Sequence, residues 1–415
     1  MLHRLSARLN TKAILISIVI FQIVSLGLRI PGLQNSSLLV ESGSAIIRRQ
    51  DPYTDWNAYG TIPAIPYWLL SKSVPSELGP TLFLFLNVVG LALCILYFLK
   101  IEHTVLLLTL IAVITTGPFR ALFASVQHTG IILGCLTLGM IAIRRSQENR
   151  FPIFSIWLGF FLFCVGFDLK PHIAFPFIML WLASTRKLRS IFHFGLFYLA
   201  LRLLIDLWNG RFLERLQFEK WRAWRTDPLV VQEQVSPWKL FSFFDIEAQF
   251  VFILSFLVYL FLTALIIAKY LKHPDSKYFV YALLLPSITA YLHLYDLILV
   301  VSIVVIGLLS SPDKRLLFFG FALFFFPTDY SSPAQIYIFF TAILFVVAAA
   351  QRIIFIRKVI PDLRSGAELL LGFLATVLFS YFPISVESKV AWQLTICFLA
   401  LGVAATRHVR SESNG

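Results

Sequence analysis

Long, nearly uninterrupted runs of apolar residues are the feature that most limits how this chain can fold. Residues 13–30, 82–99, 250–268 and 333–350 are examples, and they approach or reach the roughly 17 to 25 residues that a membrane-spanning helix needs. A membrane β-barrel would instead alternate apolar and polar residues along each strand. The runs therefore predict an all-α, polytopic bundle of about 14 transmembrane helices, at roughly 20 residues each.

The composition and the loop lengths argue against a soluble domain. Apolar residues make up 58% of the 415 positions and charged residues only 14%, against about 25% charged in a typical soluble domain. The two longest loops, residues 31–78 and 209–249, are each too short to bury a core of their own. We therefore predict one integral membrane domain over residues 1–415. Short interfacial helices are expected in the two loops, because residues 42–49 and 212–224 mix apolar and basic side chains.

The formal net charge of +13 would suit a nucleic-acid-binding protein, but the charge is distributed as in a membrane protein. With both termini inside, the inner segments hold 21 of the 35 Lys and Arg and 7 of the 22 acids. Because inner loops carry the basic excess, we predict a plasma-membrane protein with cytoplasmic termini, outward-facing long loops and no nucleic-acid partner. The inner segments are 1–12, 100–103, 144–150, 185–193, 269–277, 311–315, 351–368 and 407–415.

Three short polar clusters interrupt the apolar runs. They are Gln127 with His128, residues 168–172 (Asp-Leu-Lys-Pro-His), and residues 293–296 (His-Leu-Tyr-Asp). Threading the runs as spans places all three on the outer side. Titratable residues at membrane depth are costly and usually functional, so the clusters predict one site at the outer face. Each residue alone could also be a hydrogen-bonded or snorkelling side chain at a helix end.

Lys170 is the strongest single candidate in these clusters. It follows an apolar stretch and precedes Pro171, which predicts a helix break near the outer surface. An ammonium beside a helix start and exposed backbone donors forms an anion site, so we predict a phosphate ligand. Arg120 is expected to supply a second cation, and Gln127, His128 and His172 are the neighbouring candidates.

Carboxylates in the first long loop are candidates for a base. Transfer of a sugar to a hydroxyl benefits from a group that takes the hydroxyl proton, and Glu41, Asp51 and Asp55 lie in this loop. Any one of them could equally be a solvated surface residue. The sequence contains no zinc-type His and Cys spacing, nucleophile elbow or phosphate-binding glycine loop. We therefore expect no metal and no cofactor.

The order of these pieces resembles a known class of membrane enzymes. The residues that carry the resemblance are Asp51, Pro52 and Tyr53 in the first loop, Gln127 at a helix start, Lys170 with Pro171, and His293 with Asp296; residues 234–238 (QVSPW) match weakly. Together they are similar to the multispan glycosyltransferases of the GT-C class, in particular the bacterial mannosyltransferase-like family numbered 87. The similarity covers most of residues 10–310.

The resemblance implies transfer of a sugar such as mannose from a polyprenyl-phosphate carrier to a lipid or glycan acceptor on the outer face. In that scheme Lys170 holds the lipid phosphate, helped by Arg120, Gln127, His128 and His172, and His293 with Asp296 orients or assists. The family places its catalytic Asp just after the first span, where this chain has no acid over residues 33–37. The role would pass to Glu41, slightly favoured, or to Asp51 or Asp55.

Two other functions remain open from the sequence. In a transporter or lipid flippase the same polar groups would line a pathway, with charges near mid-membrane and on both sides of a broken helix. Placement at the outer helix ends favours the enzyme. A noncatalytic member of the family is the third possibility, because the usual Asp is missing. The sugar, the acceptor, the linkage and the oligomeric state stay open.

Overall fold

The computed structural model describes residues 2–27, 34–53, 60–75, 78–114, 119, 122, 127–146, 152–185, 188–225, 248–289 and 293–310. Within these ranges the chain contains helices and no strand, so the all-α prediction is confirmed there. The helices are α1 (Leu2–Gly27), α2 (Gln34–Ile47), α3 (Ala64–Ser73), α4 (Gly79–Leu99), α5 (His103–Ile114), α6 (Thr129–Arg145), α7 (Pro152–Leu169), α8 (Pro171–Thr185), α9 (Leu188–Asn209), α10 (Leu213–Arg225), α11 (Ala248–Lys272), α12 (Lys277–Leu284) and α13 (Ile298–Ser310).

Two 3₁₀ turns join the last helices. Leu285–Ile288 continues α12, and Leu294–Leu297 leads directly into α13. The second turn contains residues 294–296 of the polar cluster 293–296.

Three helices in the described ranges are long and apolar enough to cross a membrane: Gly79–Leu99, Arg189–Asn209 and Phe250–Lys272. Shorter apolar helices cover Lys12–Gly27, His103–Ile114, Ile153–Leu169 and Pro171–Thr185. The chain is thus a helical protein with segments suited to a bilayer. The count of about 14 spans stays a prediction, since residues 333–350 and the other late runs lie outside the described residues.

The surfaces of the long apolar helices agree with a lipid environment. Leu207 on α9 is 78% exposed and Phe261 on α11 is 67% exposed, and both helices carry several further exposed large apolar side chains. Large apolar side chains along the exposed side of a long helix are typical of a membrane span.

Close backbone contact holds α4, α6 and α7 together. A Cβ added to Gly90 on α4 would lie 2.1 Å from the carbonyl oxygen of Gly130 on α6, and a Cβ on Gly139 of α6 would meet the ring of Phe163 on α7. Small residues at helix interfaces are the usual means of close packing in membranes. The start of α6 is fixed further by Asn87, whose side-chain oxygen accepts the N–H of Gly130 at 2.9 Å.

The predicted helix break at Lys170 is confirmed. α7 ends at Leu169, Lys170 is the one connecting residue, and α8 begins at Pro171. Proline suits the first position of a helix, because the N–H that it lacks would have no partner there. Lys170 and its side chain are therefore held between two packed helices.

The first loop is more helical than expected. The predicted short helix over residues 42–49 is in fact α2, which starts at Gln34 and ends at Ile47. The predicted start was wrong because Leu39 and Ile46 are both fully buried, and their packing outweighs the low helix preference of the polar residues before them. Arg48 and Arg49 lie in a turn after the helix, with Arg49 at a left-handed φ of 61°.

Candidate functional site

The two later polar clusters of the sequence meet at an ion pair. Lys170, between α7 and α8, places its Nζ 2.5 Å from Oδ1 of Asp296, which lies in the 3₁₀ turn before α13. The Lys170 and Asp296 side chains are 6% and 0% exposed. Opposite charges out of water need such a partner, so the pair joins the α7–α8 break to the start of α13. We call this ion pair and the side chains around it the Lys170 cluster.

Thr129 contributes a hydroxyl to the Lys170 cluster. It is the first residue of α6 and is buried. Its Oγ1 donates to Oδ1 of Asp296 at 2.8 Å and accepts from Nζ of Lys170 at 3.3 Å. The start of α6, fixed by Asn87 on α4, thereby reaches both members of the ion pair. The face of the Tyr295 ring lies 4.1 Å from the Lys170 ammonium, which is a cation–π distance.

Two histidines, His172 and His293, contact Asp296 of the ion pair, and a third, His128, is buried among aromatic rings. Nε2 of His172 lies 3.7 Å from Oδ2 of Asp296, with its side chain 21% exposed. The backbone N–H of His293 donates to the same oxygen at 3.4 Å, and its ring stacks on Tyr295 with centroids 4.9 Å apart. His128 is fully buried, 5.2 Å between centroids from Tyr67.

Burial and the neighbouring charges set the protonation of His128, His293 and Asp296, which lie in segments that connect the helices. Burial, and then the charge of Lys170, lowers the pKa of His128 to about 3. Burial lowers the pKa of His293 to about 4 against the opposing effect of Asp296. Burial would raise the pKa of Asp296, but the Lys170 ammonium holds it below its usual range. The two buried imidazoles are thus neutral at pH 7, while Asp296 is a carboxylate.

The structure places the remaining candidates unevenly. Gln127 is buried directly before His128, and its N–H donates to the carbonyl of Leu122 at 2.9 Å. Arg120, predicted as a second phosphate cation, lies outside the described residues. Lys170, His172, His293 and Asp296 are brought together, and Tyr295 of the same polar cluster joins them. Thr129 is a member that the sequence did not suggest.

The first-loop carboxylates are not part of the Lys170 cluster. Glu41 is exposed on α2, and Asp51 is exposed and accepts the N–H of Tyr53 at 2.9 Å. In the described part of the chain no hydrogen bond or ion pair joins either carboxylate to Lys170 or Asp296. Asp55 lies outside the described residues. That one of the three acts as a base stays a prediction.

A second buried ionic cluster was missed by the sequence reasoning. Asp168, at the end of α7, places Oδ2 3.1 Å from a guanidinium nitrogen of Arg202 on α9. The hydroxyl of Tyr198 on α9 donates to Oδ1 of Asp168 at 2.8 Å. Asp168 belongs to the predicted polar cluster 168–172, and Arg202 is a charge within the apolar helix Arg189–Asn209, but nothing in the sequence pairs the two. We call this group the Asp168 cluster.

The Asp168 cluster fixes both long loops to the helix bundle. Ile62 donates its N–H to Oδ2 of Asp168 at 3.0 Å, and Gly60 donates to the Asp168 carbonyl at 2.9 Å. A Cβ on Gly60 would lie 2.3 Å from Cγ of Asp168, so only glycine allows this approach. Arg202 also donates to Oγ1 of Thr61 at 2.8 Å and, from the other loop, to Oε1 of Gln217 at 2.6 Å.

In the described ranges no group of three or more His, Cys, Asp or Glu side chains is arranged to hold a metal ion. The Lys170 cluster instead offers an ammonium, a hydroxyl and neutral imidazoles. Such groups can bind and orient an anion through charge and hydrogen bonds.

No protein-family model, no curated protein and no solved structure matches this chain. The similarity to family 87 of the GT-C glycosyltransferases therefore stays a prediction that rests on the sequence motifs.

Proposed function

We propose that this chain is a membrane glycosyltransferase that takes a sugar from a polyprenyl-phosphate carrier and transfers it to a lipid or glycan acceptor. The observation that carries the proposal is the convergence of Lys170, His172, His293 and Asp296 on one buried cluster. Lys170 and Asp296 are 126 positions apart in the chain. Four titratable residues from two motifs therefore meet in one buried cluster, which supports a single site for the donor phosphate.

The chemistry of the Lys170 cluster suits a lipid-linked phosphate. An ammonium is a strong ligand for phosphate oxygens, and the Thr129 hydroxyl and the neutral imidazoles are hydrogen-bonding groups without added charge. Lys170, with Arg120 as the predicted second cation, would supply the charge stabilisation that the leaving phosphate needs. No metal enters this scheme.

The first loop is the proposed source of the base. Residues 60–62 are bound to Asp168, which precedes Lys170 by two positions. The loop that carries Glu41, Asp51 and Asp55 is therefore attached beside the proposed donor site. On this scheme Glu41 is the first candidate for taking the acceptor proton, and His293 with Asp296 orients the donor.

The test is a transfer assay with the full chain in lipid nanodiscs and radiolabelled polyprenyl-phosphate mannose. Lys170→Met should lower transfer at subsaturating donor about 10- to 100-fold, because a charge-assisted contact of roughly 1.5–3 kcal/mol is lost. Lys277→Met is the matched control, since Lys277 pairs with Asp275 at 3.0 Å in a separate connection. Equal activity of the two variants would remove Lys170 from the donor site.

The base is tested in the same assay with Glu41→Gln, Asp51→Asn and Asp55→Asn. One of these should lower transfer by roughly 100-fold or more, because each keeps its shape and loses the proton acceptor. Near-normal transfer in all three would exclude a base on the first loop.

The noncatalytic alternative has its own supporting observation. Lys170 and Asp296 already neutralise one another, and among the described residues no hydrogen bond or ion pair joins Glu41 or Asp51 to them. If the unmodified chain transfers none of a panel of lipid-linked sugars, this alternative replaces the enzyme. Movement of intact lipid-linked sugar across vesicles without transfer would identify a flippase.

A further inference from the structure

We infer that Asp296 is an internal counter-ion, which occupies Lys170 until the phosphate group of a ligand takes its place. The inference rests on the proposed function and deepens it, because it states which group neutralises Lys170 before a phosphate binds. It applies to a phosphate carried by a lipid and to free phosphate, and the experiment separates the two sources.

The contacts of Lys170 point to exchange. Its ammonium lies 2.5 Å from Oδ1 of Asp296, 3.3 Å from Oγ1 of Thr129 and 4.1 Å from the centre of the Tyr295 ring. No second carboxylate lies within ion-pair distance of Lys170 in the part of the chain that the structure describes. The positive charge is therefore balanced there by Asp296, in the place where an oxygen of a phosphate would bind.

Asp296 keeps hydrogen-bond donors when Lys170 binds another anion. Its Oδ2 accepts the N–H of His293 at 3.4 Å and lies 3.7 Å from Nε2 of His172. Its Oδ1 accepts the Thr129 hydroxyl at 2.8 Å. A buried carboxylate that lost every partner would be strongly destabilised. Here the Thr129 hydroxyl and the His293 N–H still donate to Asp296, which makes the release of Lys170 less costly.

The exposed edge of the cluster is on the His172 side. The His172 side chain is 21% exposed, against 6% for Lys170 and 0% for Asp296, and the neighbouring Pro171 is exposed. An anion would thus reach Lys170 past His172. This direction places His172 between the ligand and the displaced carboxylate.

The experiment measures phosphate binding by the purified full chain in nanodiscs. The probes are inorganic phosphate, a short isoprenyl phosphate and the matching isoprenol, with chloride to hold the ionic strength constant. Affinity is read from the rise of the unfolding midpoint with probe concentration. Binding of both phosphates alike indicates free phosphate as the ligand, and preference for the isoprenyl phosphate indicates a lipid-carried one.

Asp296→Asn should bind phosphate about tenfold more tightly than the unmodified chain. If Lys170 is paired with Asp296 about nine-tenths of the time, removing the carboxylate raises the fraction of molecules whose Lys170 can bind phosphate about tenfold. Lys170→Met should abolish binding in both backgrounds. Unchanged or weaker binding by Asp296→Asn, or no binding by any form, would overturn the inference.

Asp168→Asn is the matched control. It also removes a buried carboxylate from a cation, but Arg202 keeps Thr61 and Gln217 as partners, so its phosphate affinity should stay unchanged. An equal rise in affinity would show a general effect of charge and would count against Asp296. If Asp296→Asn does not fold alone, millimolar phosphate should restore its yield and should not restore that of Asp168→Asn. Failure of that rescue would also overturn the inference.

The transfer assay separates this inference from the proposed function. Phosphate binding as described, with no sugar transfer, would overturn the glycosyltransferase and leave the exchange intact. Normal transfer by the unmodified chain, with weaker donor binding by Asp296→Asn, would overturn the exchange alone.

Discussion

The Asp168 cluster and the Lys170 cluster lie on either side of Leu169, yet they are built differently. Asp168 binds the backbone N–H of Ile62 as well as Tyr198 and Arg202. Among the described residues the Lys170–Asp296 pair is held mainly by other side chains, and the backbone N–H that reaches it, from His293, lies at a long 3.4 Å. A charge held by backbone groups can move only if the loop moves.

The difference assigns different roles to the two charges at one helix break. The Asp168 cluster joins residues 60–62, α9 and α10, so it fixes the frame. The Lys170 cluster joins residues whose side chains can rotate, so it is suited to exchange partners with a ligand. The two ion pairs are buried to a similar degree, but the groups around them differ in how freely they let the charged side chains change partner.

The largest effect is expected from Arg202→Met. The variant leaves Asp168 buried without its cation, which costs about 3–5 kcal/mol for a pair broken on one side, and it removes the contacts to Thr61 and Gln217. The unfolding midpoint and the yield in detergent should both fall strongly. Arg215→Met is the control, since Arg215 pairs with Glu219 while 83% exposed and exposed pairs contribute little. Similar losses in the two variants would remove the special role of the Asp168 cluster.

The sequence predicted the helical elements well where apolar runs and proline act locally. The spans over residues 82–99 and 250–268 fall within α4 and α11, and the break before Pro171 is where expected. The start of α2 could not be read, because it depends on the burial of Leu39 and Ile46 against other helices. Packing of that kind is not encoded in local preference.

The candidate site was predictable in its titratable residues and not in their pairing. Lys170, His172, His293 and Asp296 were identified because charges in apolar runs are costly. Thr129 and Tyr198 were missed, since a hydroxyl or a tyrosine in a span is common and its partner lies far along the chain. The partner of Arg202 is 34 positions away, and a single sequence does not contain that contact.

The next largest effect is expected from replacing each ion pair by apolar residues, which should change the stability of the protein differently for the two clusters. Lys170→Met with Asp296→Leu should recover most of the stability lost by Lys170→Met alone, because a buried pair can often be replaced by apolar groups at little cost. Arg202→Met with Asp168→Leu should stay about 2–3 kcal/mol less stable than the unmodified chain, since the N–H of Ile62 and the hydroxyl of Tyr198 lose their acceptor. Thermal unfolding of the four variants measures both differences. Equal recovery in the two doubles would contradict the assignment of a frame and an exchangeable pair.

The smallest effect is expected from removing one hydroxyl from each cluster. Tyr198→Phe deletes a 2.8 Å hydrogen bond to Oδ1 of Asp168 and should cost about 1–1.7 kcal/mol, the upper part of the range measured for side-chain hydrogen bonds between membrane helices. Thr129→Val should cost only about 0.6 kcal/mol, because Lys170 and Asp296 still contact each other directly. Unfolding midpoints of the two variants, measured in the same detergent, give the order. If Thr129→Val is the more damaging change, the Thr129 hydroxyl holds the ion pair in place, and the Lys170 cluster is as rigid as its neighbour.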